Sequence, residues 1–179
     1  YNYFKSKKTS NSDFAKTLVS DNDSERTKIA KIYNWITENI SYDWDKYYNN
    51  DDVWGLPDCY LALKSRKGIC EDYANLLWVM LYDVGIKSDR IHGTADGRGG
   101  WGDHAFNKIT LDGEVLYLDS TWDSSSDPAD YDYFLIPEMC ISVDHAQKSS
   151  NQFSESERIN YINNNSTYFD EHCPNLKKS

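Results

Sequence analysis

Two residues that can share a proton, His104 and Asp119, lie on opposite arms of a predicted β-hairpin. The arms, residues 104–111 and 114–121, flank Asp112 and Gly113, a dipeptide that strongly favours a two-residue hairpin loop. If position 111 pairs with position 114, Asp119 is the diagonal neighbour of His104 on the same sheet face, roughly 7 to 8 Å away at the backbone. The pattern therefore predicts a His–Asp pair. The carboxylate would fix the imidazole tautomer and leave the other ring nitrogen free to accept a proton.

Cys70 is placed to be the nucleophile that such a pair would serve. A helix is predicted from about Cys70, with Gly85 placed to end it. Its apolar stripe consists of Tyr73, Leu76, Leu77, Met80, Leu81 and Val84. A thiol in the first turn of a helix feels the positive end of the helix dipole and unpaired backbone N–H groups, which favour its thiolate. The same amides, beginning with that of Cys70, can supply part of an oxyanion hole.

Each of these three residues also fits a plain structural role. A lone cysteine is more often a small buried hydrophobe, a lone histidine a half-buried strand residue, and a lone aspartate a turn carboxylate. The combination changes the interpretation, because a nucleophile, a base and an orienting group are all supplied. Cys70, His104 and Asp119 are therefore the predicted catalytic residues.

The bulk composition restricts the classes of function. The 179 residues carry a net charge of −10, which repels a phosphate backbone, so nucleic acid is not an expected partner. No membrane span is expected in this chain, since no window approaches the apolar run of about 18 residues that crosses a bilayer. The four cysteines form no CxxC pair, which argues against a zinc ribbon or a dithiol redox site. The sequence leaves open whether Cys140 and Cys173 are bridged.

Four segments carry a resemblance to a known family. They are residues 32–36 (IYNWI) with 39–43 (NISYD), 67–74 (KGICEDYA), 104–107 (HAFN) and 118–123 (LDSTWD). Together the stretch 25–145 resembles a transglutaminase-like domain, the superfamily that includes transglutaminases and related cysteine peptidases. Phe106 stands where the family commonly has tryptophan. The resemblance implies an α+β fold with a papain/transglutaminase-like core, in which the nucleophile helix packs on an antiparallel sheet.

The resemblance also implies an activity. Cys70 would attack an amide or peptide carbonyl and form a thioester, which water or an amine then resolves. A second oxyanion donor is expected upstream of the cysteine, with Trp54 and Tyr60 as the candidates. Trp101 lies in a glycine-rich segment, residues 96–103, that either lines the site as a flexible lip or is a plain surface turn.

The domain organisation follows from these segments. An N-terminal arm (1–20) is expected to precede a transglutaminase-like catalytic domain (21–146), whose first helix would be capped at Asn22 with Glu25 completing a capping box. A polar C-terminal extension (147–179), read as one marginal helix and a tail, would pack on the same domain. An exported or cell-surface location is favoured over a cytoplasmic one, because the chain begins with Tyr1 and an export signal removed upstream fits that start.

The expected partner is a protein or peptide substrate, a cell-wall peptide included. No cofactor and no metal are expected: the acidic stretch at Asp123, Asp127, Asp130 and Asp132 lacks EF-hand spacing and is interpreted as a solvated loop. His92 and His145 are interpreted as structural. The alternative to an enzyme is a noncatalytic peptide- or cell-wall-binding module of the same fold, gripping its ligand with the aromatic-rich segment 42–60. Three intact catalytic positions argue against that alternative.

Overall fold

A computed structural model describes residues 11–49 and 58–177 of the chain. The helices are α1 Asn11–Leu18, α2 Glu25–Asn39, α3 Trp44–Asn49, α4 Leu61–Ser65, α5 Cys70–Asp83, α6 Glu138–Ile141, α7 Glu155–Asn164 and α8 Ser166–His172. The strands are β1 Ser41–Tyr42, β2 Lys67–Gly68, β3 Asp89–Gly97, β4 Gly100–Leu111, β5 Glu114–Leu118, β6 Phe134–Pro137 and β7 His145–Ala146. Within the described residues, four short 3₁₀ turns lie at Trp122–Ser125, Pro128–Asp130, Ser149–Asn151 and Pro174–Lys177.

The main sheet is antiparallel, with strand order β6-β5-β4-β3-β7. Its central hairpin has the predicted register, since Leu111 pairs with Glu114 and Asn107 with Leu118. Asp112 and Gly113 form the turn with φ of 53° and 83°, the left-handed values that such a loop requires. The expected α+β fold, with the nucleophile helix against an antiparallel sheet, is confirmed.

Helix α5 is held between the sheet and the other N-terminal helices. Leu76, Leu77, Met80 and Leu81 on its apolar stripe are fully buried, and burial of each such side chain contributes about 1.5–3 kcal/mol. Alternation along the strands turns Ile109, Leu111, Leu116 and Leu118 toward this core. On strand β4 the Asn107 amide donates to the carbonyl of Ala74, 3.0 Å away. That bond fixes the strand of His104 against the helix of Cys70.

The beginning of α5 is fixed by three neighbouring groups. Asp72 accepts the backbone N–H of Ile69 at 2.9 Å and a bond from the Lys46 ammonium at 2.8 Å. Gly68 allows this arrangement, because a Cβ at that position would lie 2.5 Å from the Cβ of Asp72. The parallel pairing of β1 with β2 places Tyr42 opposite Gly68. The chain entering Cys70 is thereby tied to the aromatic helix α3.

The opposite face of the sheet is covered by the C-terminal part of the chain. Its second core combines Phe106, Tyr117 and Ile136 from the sheet with Ile162 and Phe169 from helices α7 and α8. A disulfide joins Cys140 to Cys173, the pairing that the sequence had left open. Of the helices in the described residues, none has both the length and the apolar character needed to cross a membrane.

The structure corrects three local predictions. Helix α2 is capped by Ser24, whose hydroxyl accepts the N–H of Thr27, and not by Asn22, whose own N–H is engaged in the preceding turn. In the glycine-rich segment, expected as a lip or a plain turn, β3 and β4 remain paired out to Gly97 and Gly100, so the turn is confined to residues 98–99. Beyond Ala146 there are two helices, since the cap at Ser154 starts α7 and a separate helix follows it.

Candidate active site

A histidine on the central strand β4 meets a carboxylate at the end of strand β5. His104 lies in β4 and Asp119 directly follows β5, and their Nε2 and Oδ2 atoms are 2.6 Å apart. Their side chains are 8% and 1% exposed, so this pair is largely removed from water. The other carboxylate oxygen of Asp119 accepts the backbone N–H groups of Thr121 at 2.9 Å and Trp122 at 3.2 Å. The predicted His–Asp pair is confirmed, and the carboxylate is locked by the turn that follows it.

Electrostatics favour the charged forms of both partners. Burial alone would lower the pKa of His104, but the charge and hydrogen bond of Asp119, with a further hydrogen bond from Cys70, raise it well above its usual range. Burial would raise the pKa of Asp119, but His104 and His145 together hold it well below its ordinary value. With Nε2 directed at Asp119, the Nδ1 atom of His104 is the ring nitrogen left for a proton from another group.

Cys70 is the first residue of α5 and lines the same cavity as His104. The cavity has a volume of about 1230 Å³. Its side chain is half-buried and outside the disulfide, and its proximity raises the pKa of His104. At the N-terminus of a helix the first N–H groups have no partner within the helix. Cys70 and His104 therefore line one opening.

The walls of this cavity are unusually rich in aromatic rings. They come from Tyr42, Trp44, Tyr47, Tyr48, Trp101 and Trp122. Trp44, Tyr47 and Tyr48 on α3 are 58%, 54% and 75% exposed, which is high for such large side chains. Trp101 is held over the opening by its indole N–H, which donates to the carbonyl of Phe153 at 3.0 Å. Trp101 thus lines the same cavity as Cys70 and His104.

The two oxyanion candidates named from the sequence have different outcomes. Trp54 lies outside the described residues. Tyr60 is not brought to the cavity: its hydroxyl donates to Asp83 at 2.7 Å, at the opposite end of α5 from Cys70. Thirteen residues of helix separate the two ends by about 20 Å. Tyr60 is therefore not an oxyanion donor, as predicted, but a residue that anchors the far end of helix α5.

Tyr42 lines the cavity, whereas the sequence placed it only in the aromatic-rich segment 42–60 and not in the catalytic site. It lines the cavity with Cys70, and burial followed by the charge of Cys70 raises the pKa of its hydroxyl. Within the described residues its hydroxyl makes no hydrogen bond to another residue. The signal would have been its position three residues after helix α2, paired with the strand that enters Cys70.

The acidic stretch 123–132 contains one buried carboxylate that stabilises the turn after Asp119. Asp123 is 1% exposed, accepts the Tyr33 hydroxyl at 2.6 Å and accepts the backbone N–H groups of Asp132 and Tyr133. Burial, with the nearby charge of Asp119, raises the pKa of its carboxyl to about 7. Asp123 is therefore not part of a solvated loop, because it fixes the turn behind Asp119 to the first long helix.

One group in the described residues has the composition of a metal site. Ring nitrogens of His104 and His145 and an oxygen of Asp119 all lie within 4.8 Å of one another. The same atoms are engaged in hydrogen bonds, since both imidazoles direct Nε2 at the Oδ2 atom of Asp119. Those bonds account for the cluster without a cation. His145 is thus a direct neighbour of the predicted site.

Comparisons with known proteins agree with this geometry. A family model for the transglutaminase-like superfamily matches residues 12–122. Over 115 residues, 60% of this chain, the sequence is 29% identical to Kyphoscoliosis peptidase of Mus musculus and 28% identical to that of Homo sapiens. The chain spans only 17% of the length of these relatives.

A solved structure is similar in fold. The crystal structure of a candidate cysteine protease from Cytophaga hutchinsonii matches with a TM-score of 0.52 and 19% identity, covering 62% of this chain and 36% of that one. At that identity the likeness shows the fold alone. The family model, however, matches well over half of the sequence. This chain therefore belongs to the transglutaminase-like superfamily.

Proposed function

We propose that the protein catalyses cysteine-dependent acyl transfer on an amide or peptide carbonyl through a thioester intermediate. Cys70 is the nucleophile, His104 the general base and acid, and Asp119 the group that orients the imidazole. The observation that supports this most strongly is the 2.6 Å contact between Nε2 of His104 and Asp119, at the wall of a cavity that Cys70 also lines. A nucleophile, a base and a group that orients the base are the arrangement that nucleophilic catalysis requires.

The steps follow from the assigned atoms. Nδ1 of His104 holds the proton taken from the thiol while the sulfur of Cys70 attacks the carbonyl carbon and the carbonyl electrons move to oxygen. The tetrahedral intermediate collapses as the imidazolium gives its proton to the leaving amine, and the C–N bond breaks. Water or an amine then attacks the thioester, His104 removes a proton from it, and the sulfur leaves. Asp119 remains ionised and stabilises each imidazolium that forms.

The oxyanion is proposed to bind at the start of α5. The backbone N–H of Cys70 supplies one donor. The hydroxyl of Tyr42 is the proposed second donor, because it lines the same cavity and makes no hydrogen bond to a described residue. Trp54 remains an alternative donor. An aromatic hydroxyl is a donor type that such sites use.

The proposed substrate is a protein or peptide, and hydrolysis is favoured over cross-linking. The similarity to Kyphoscoliosis peptidase supports a peptidase. A cavity of about 1230 Å³ is large enough for several residues of an extended chain, a cell-wall peptide included. Exposed rings on α3 suit the apolar side chains of such a chain. We further propose that residues 21–146 form the catalytic unit, with 1–20 as an arm and 147–179 as an extension packed on it.

The aromatic wall also supports a second candidate, a noncatalytic module that binds a peptide or cell-wall polymer. Trp44, Tyr47 and Tyr48 expose more than half of their surfaces on one short helix beside the cavity, and exposed aromatic patches mark binding sites. The module would need no reaction at Cys70. Turnover therefore separates the two candidates.

The test is a peptide-cleavage assay read by mass spectrometry. The protein is incubated with a mixed peptide library, with and without a primary amine, and products are sorted into released acids and new amides. The proposal expects activity that falls by at least about 10³-fold in Cys70→Ala. Cys59→Ala is the matched control, since Cys59 is the other thiol outside the disulfide, and it should retain activity. Peptide binding that survives in Cys70→Ala, with no turnover by the parent protein, would establish the binding module instead.

A further inference from the structure

A second histidine lies behind the proposed catalytic pair and bridges two carboxylates. The Nε2 atom of His145 is 2.9 Å from Oδ2 of Asp119, and its Nδ1 atom is 2.6 Å from Oδ1 of Asp144. Asp144 in turn accepts the Tyr133 hydroxyl at 2.6 Å. The side chain of His145 is completely buried. The chain of contacts therefore runs from Tyr133 through Asp144, His145 and Asp119 to His104.

With Asp119 and Asp144 ionised, these contacts favour a positively charged His145. An ionised carboxylate only accepts hydrogen bonds, so both ring nitrogens of His145 must donate, which only the imidazolium can do. Burial would lower the pKa of His145, but its hydrogen bonds to Asp119 and Asp144 raise it. A buried cation between two buried anions is stable because each charge is paired and hydrogen-bonded. Breaking this pairing would leave a charge uncompensated.

Two histidines share one oxygen atom of Asp119. His104 approaches Oδ2 at 2.6 Å and His145 approaches the same atom at 2.9 Å, with the two ring centres 5.4 Å apart. The second donor stabilises the carboxylate and fixes its plane toward β4. It also reduces the negative charge that Asp119 presents to His104, and its own charge repels an imidazolium at His104. Both effects weaken the hold of Asp119 on the His104 proton.

We infer that His145, held by Asp144, is a positioning residue for the proposed reaction: it keeps Asp119 ionised and aimed at His104, and it prevents His104 from binding its proton too tightly to return it. This inference rests on the proposed function. His104 must release its proton to the leaving amine and then accept another, which works best when its proton affinity is not extreme. His145 does not contact the proposed reacting atoms and acts through Asp119.

The surroundings of His145 leave few other groups to set its charge. The aromatic rings packed on it are Phe106, Trp122 and Tyr133, with ring centres 4.5 to 5.2 Å away. The titratable groups facing it are Asp119, Asp144, His104 and the Tyr133 hydroxyl. On its outer side a second cavity, of about 770 Å³, is also lined by Glu138, Lys148 and Glu157. The carboxylates in direct contact dominate, because the cavity groups are solvated.

The test combines NMR titration of the histidine side chains with the pH dependence of peptide cleavage. In the wild-type protein, the ¹⁵N shifts of His145 should be those of an imidazolium at about pH 8, where an ordinary histidine is neutral. His145→Gln should raise the pKa of His104 by about one pH unit. The alkaline limb of kcat should move the same way, and kcat should fall about 10- to 100-fold with little change in KM. His92→Gln, an exposed position on β3, is the matched control and should change none of these quantities.

Three results would overturn the inference. They are a neutral His145 in the wild type, a folded His145→Gln variant with an unchanged His104 titration, and a loss of activity with no shift of the pH limb. Because the first is read on the wild-type protein, it stands even if the variant fails to fold. The NMR readouts also need no turnover. A charged His145 and a shifted His104 in a protein without peptide cleavage would contradict the proposed function and leave the positioning arrangement intact.

Discussion

Gly93 is the position where a single added methyl group should disturb the site from a distance. It lies in β3 beside β7, the strand that carries His145. A Cβ on Gly93 would lie 2.3 Å from the backbone oxygen of Ala146 and 3.2 Å from the ring of Phe106. Because Cβ contacts under 3.0 Å essentially do not occur, β7 would have to move by at least about 0.7 Å, the difference between 2.3 and 3.0 Å. Forced overpacking of this kind costs about 1–3 kcal/mol.

Gly93→Ala should therefore reduce the free energy of unfolding by about 1–3 kcal/mol in urea titrations. It should also lengthen the contact of 2.9 Å between His145 and Asp119, and so shift the His104 titration in the same direction as His145→Gln. Gly97→Ala is the matched control on the same strand, because a Cβ there meets nothing within 4 Å. The reasoning is refuted if the two variants have equal stability, or if Gly93→Ala is destabilised while the His104 titration stays unchanged.

Three further outcomes are expected. Tyr42→Phe should lower kcat about 100-fold through loss of one oxyanion donor, with no change in the midpoint of urea unfolding. Unchanged kinetics would show that the Tyr42 hydroxyl is not an oxyanion donor. Replacing Cys140 and Cys173 by serine opens a bridge spanning 33 residues and should cost about 3–4 kcal/mol in urea unfolding, whereas an unaltered midpoint would contradict a stabilising bridge. Between about pH 7 and pH 9 the free energy of unfolding should fall. The pKa values of His104 and His145 are raised in the folded protein above their unfolded value of 6.5. Their contribution to stability is therefore complete below pH 6.5 and is lost as the pH rises through the folded-state pKa values. His104→Gln should flatten that slope, and an equally steep slope in the variant would exclude this origin.

Local rules allowed much of the site to be predicted. A two-residue turn at Asp112 and Gly113 fixes the register of its hairpin, and the register fixes which side chains meet. The His104–Asp119 contact could therefore be derived from residue numbers alone. The start of α5 at Cys70 was likewise predictable, because apolar spacing and Gly85 define that helix from within.

The remaining parts of the site depend on contacts between segments distant in sequence. His145 reaches Asp119 only because the two-residue strand β7 adds to the edge of β3, a pairing too short to leave a pattern. Tyr42 reaches the cavity through the equally short parallel pair of β1 and β2. Tyr60 was misjudged for a similar reason, since its neighbour in space, Asp83, is 23 residues away. Chain proximity to Cys70 was a poor guide to spatial proximity.

The nucleophile itself is tested most directly by site-resolved alkylation. Iodoacetamide reacts with the thiolate, and an ordinary thiol with a pKa of about 8.5 is almost fully protonated at about pH 6. Cys59 provides the internal reference, because burial raises the pKa of its thiol. Mass spectrometry should find Cys70 modified at least about 10-fold faster than Cys59 at that pH, and His104→Gln should remove most of this difference. Equal, slow labelling of both thiols, or fast labelling of Cys70 that does not depend on His104, would contradict a thiol activated by this histidine.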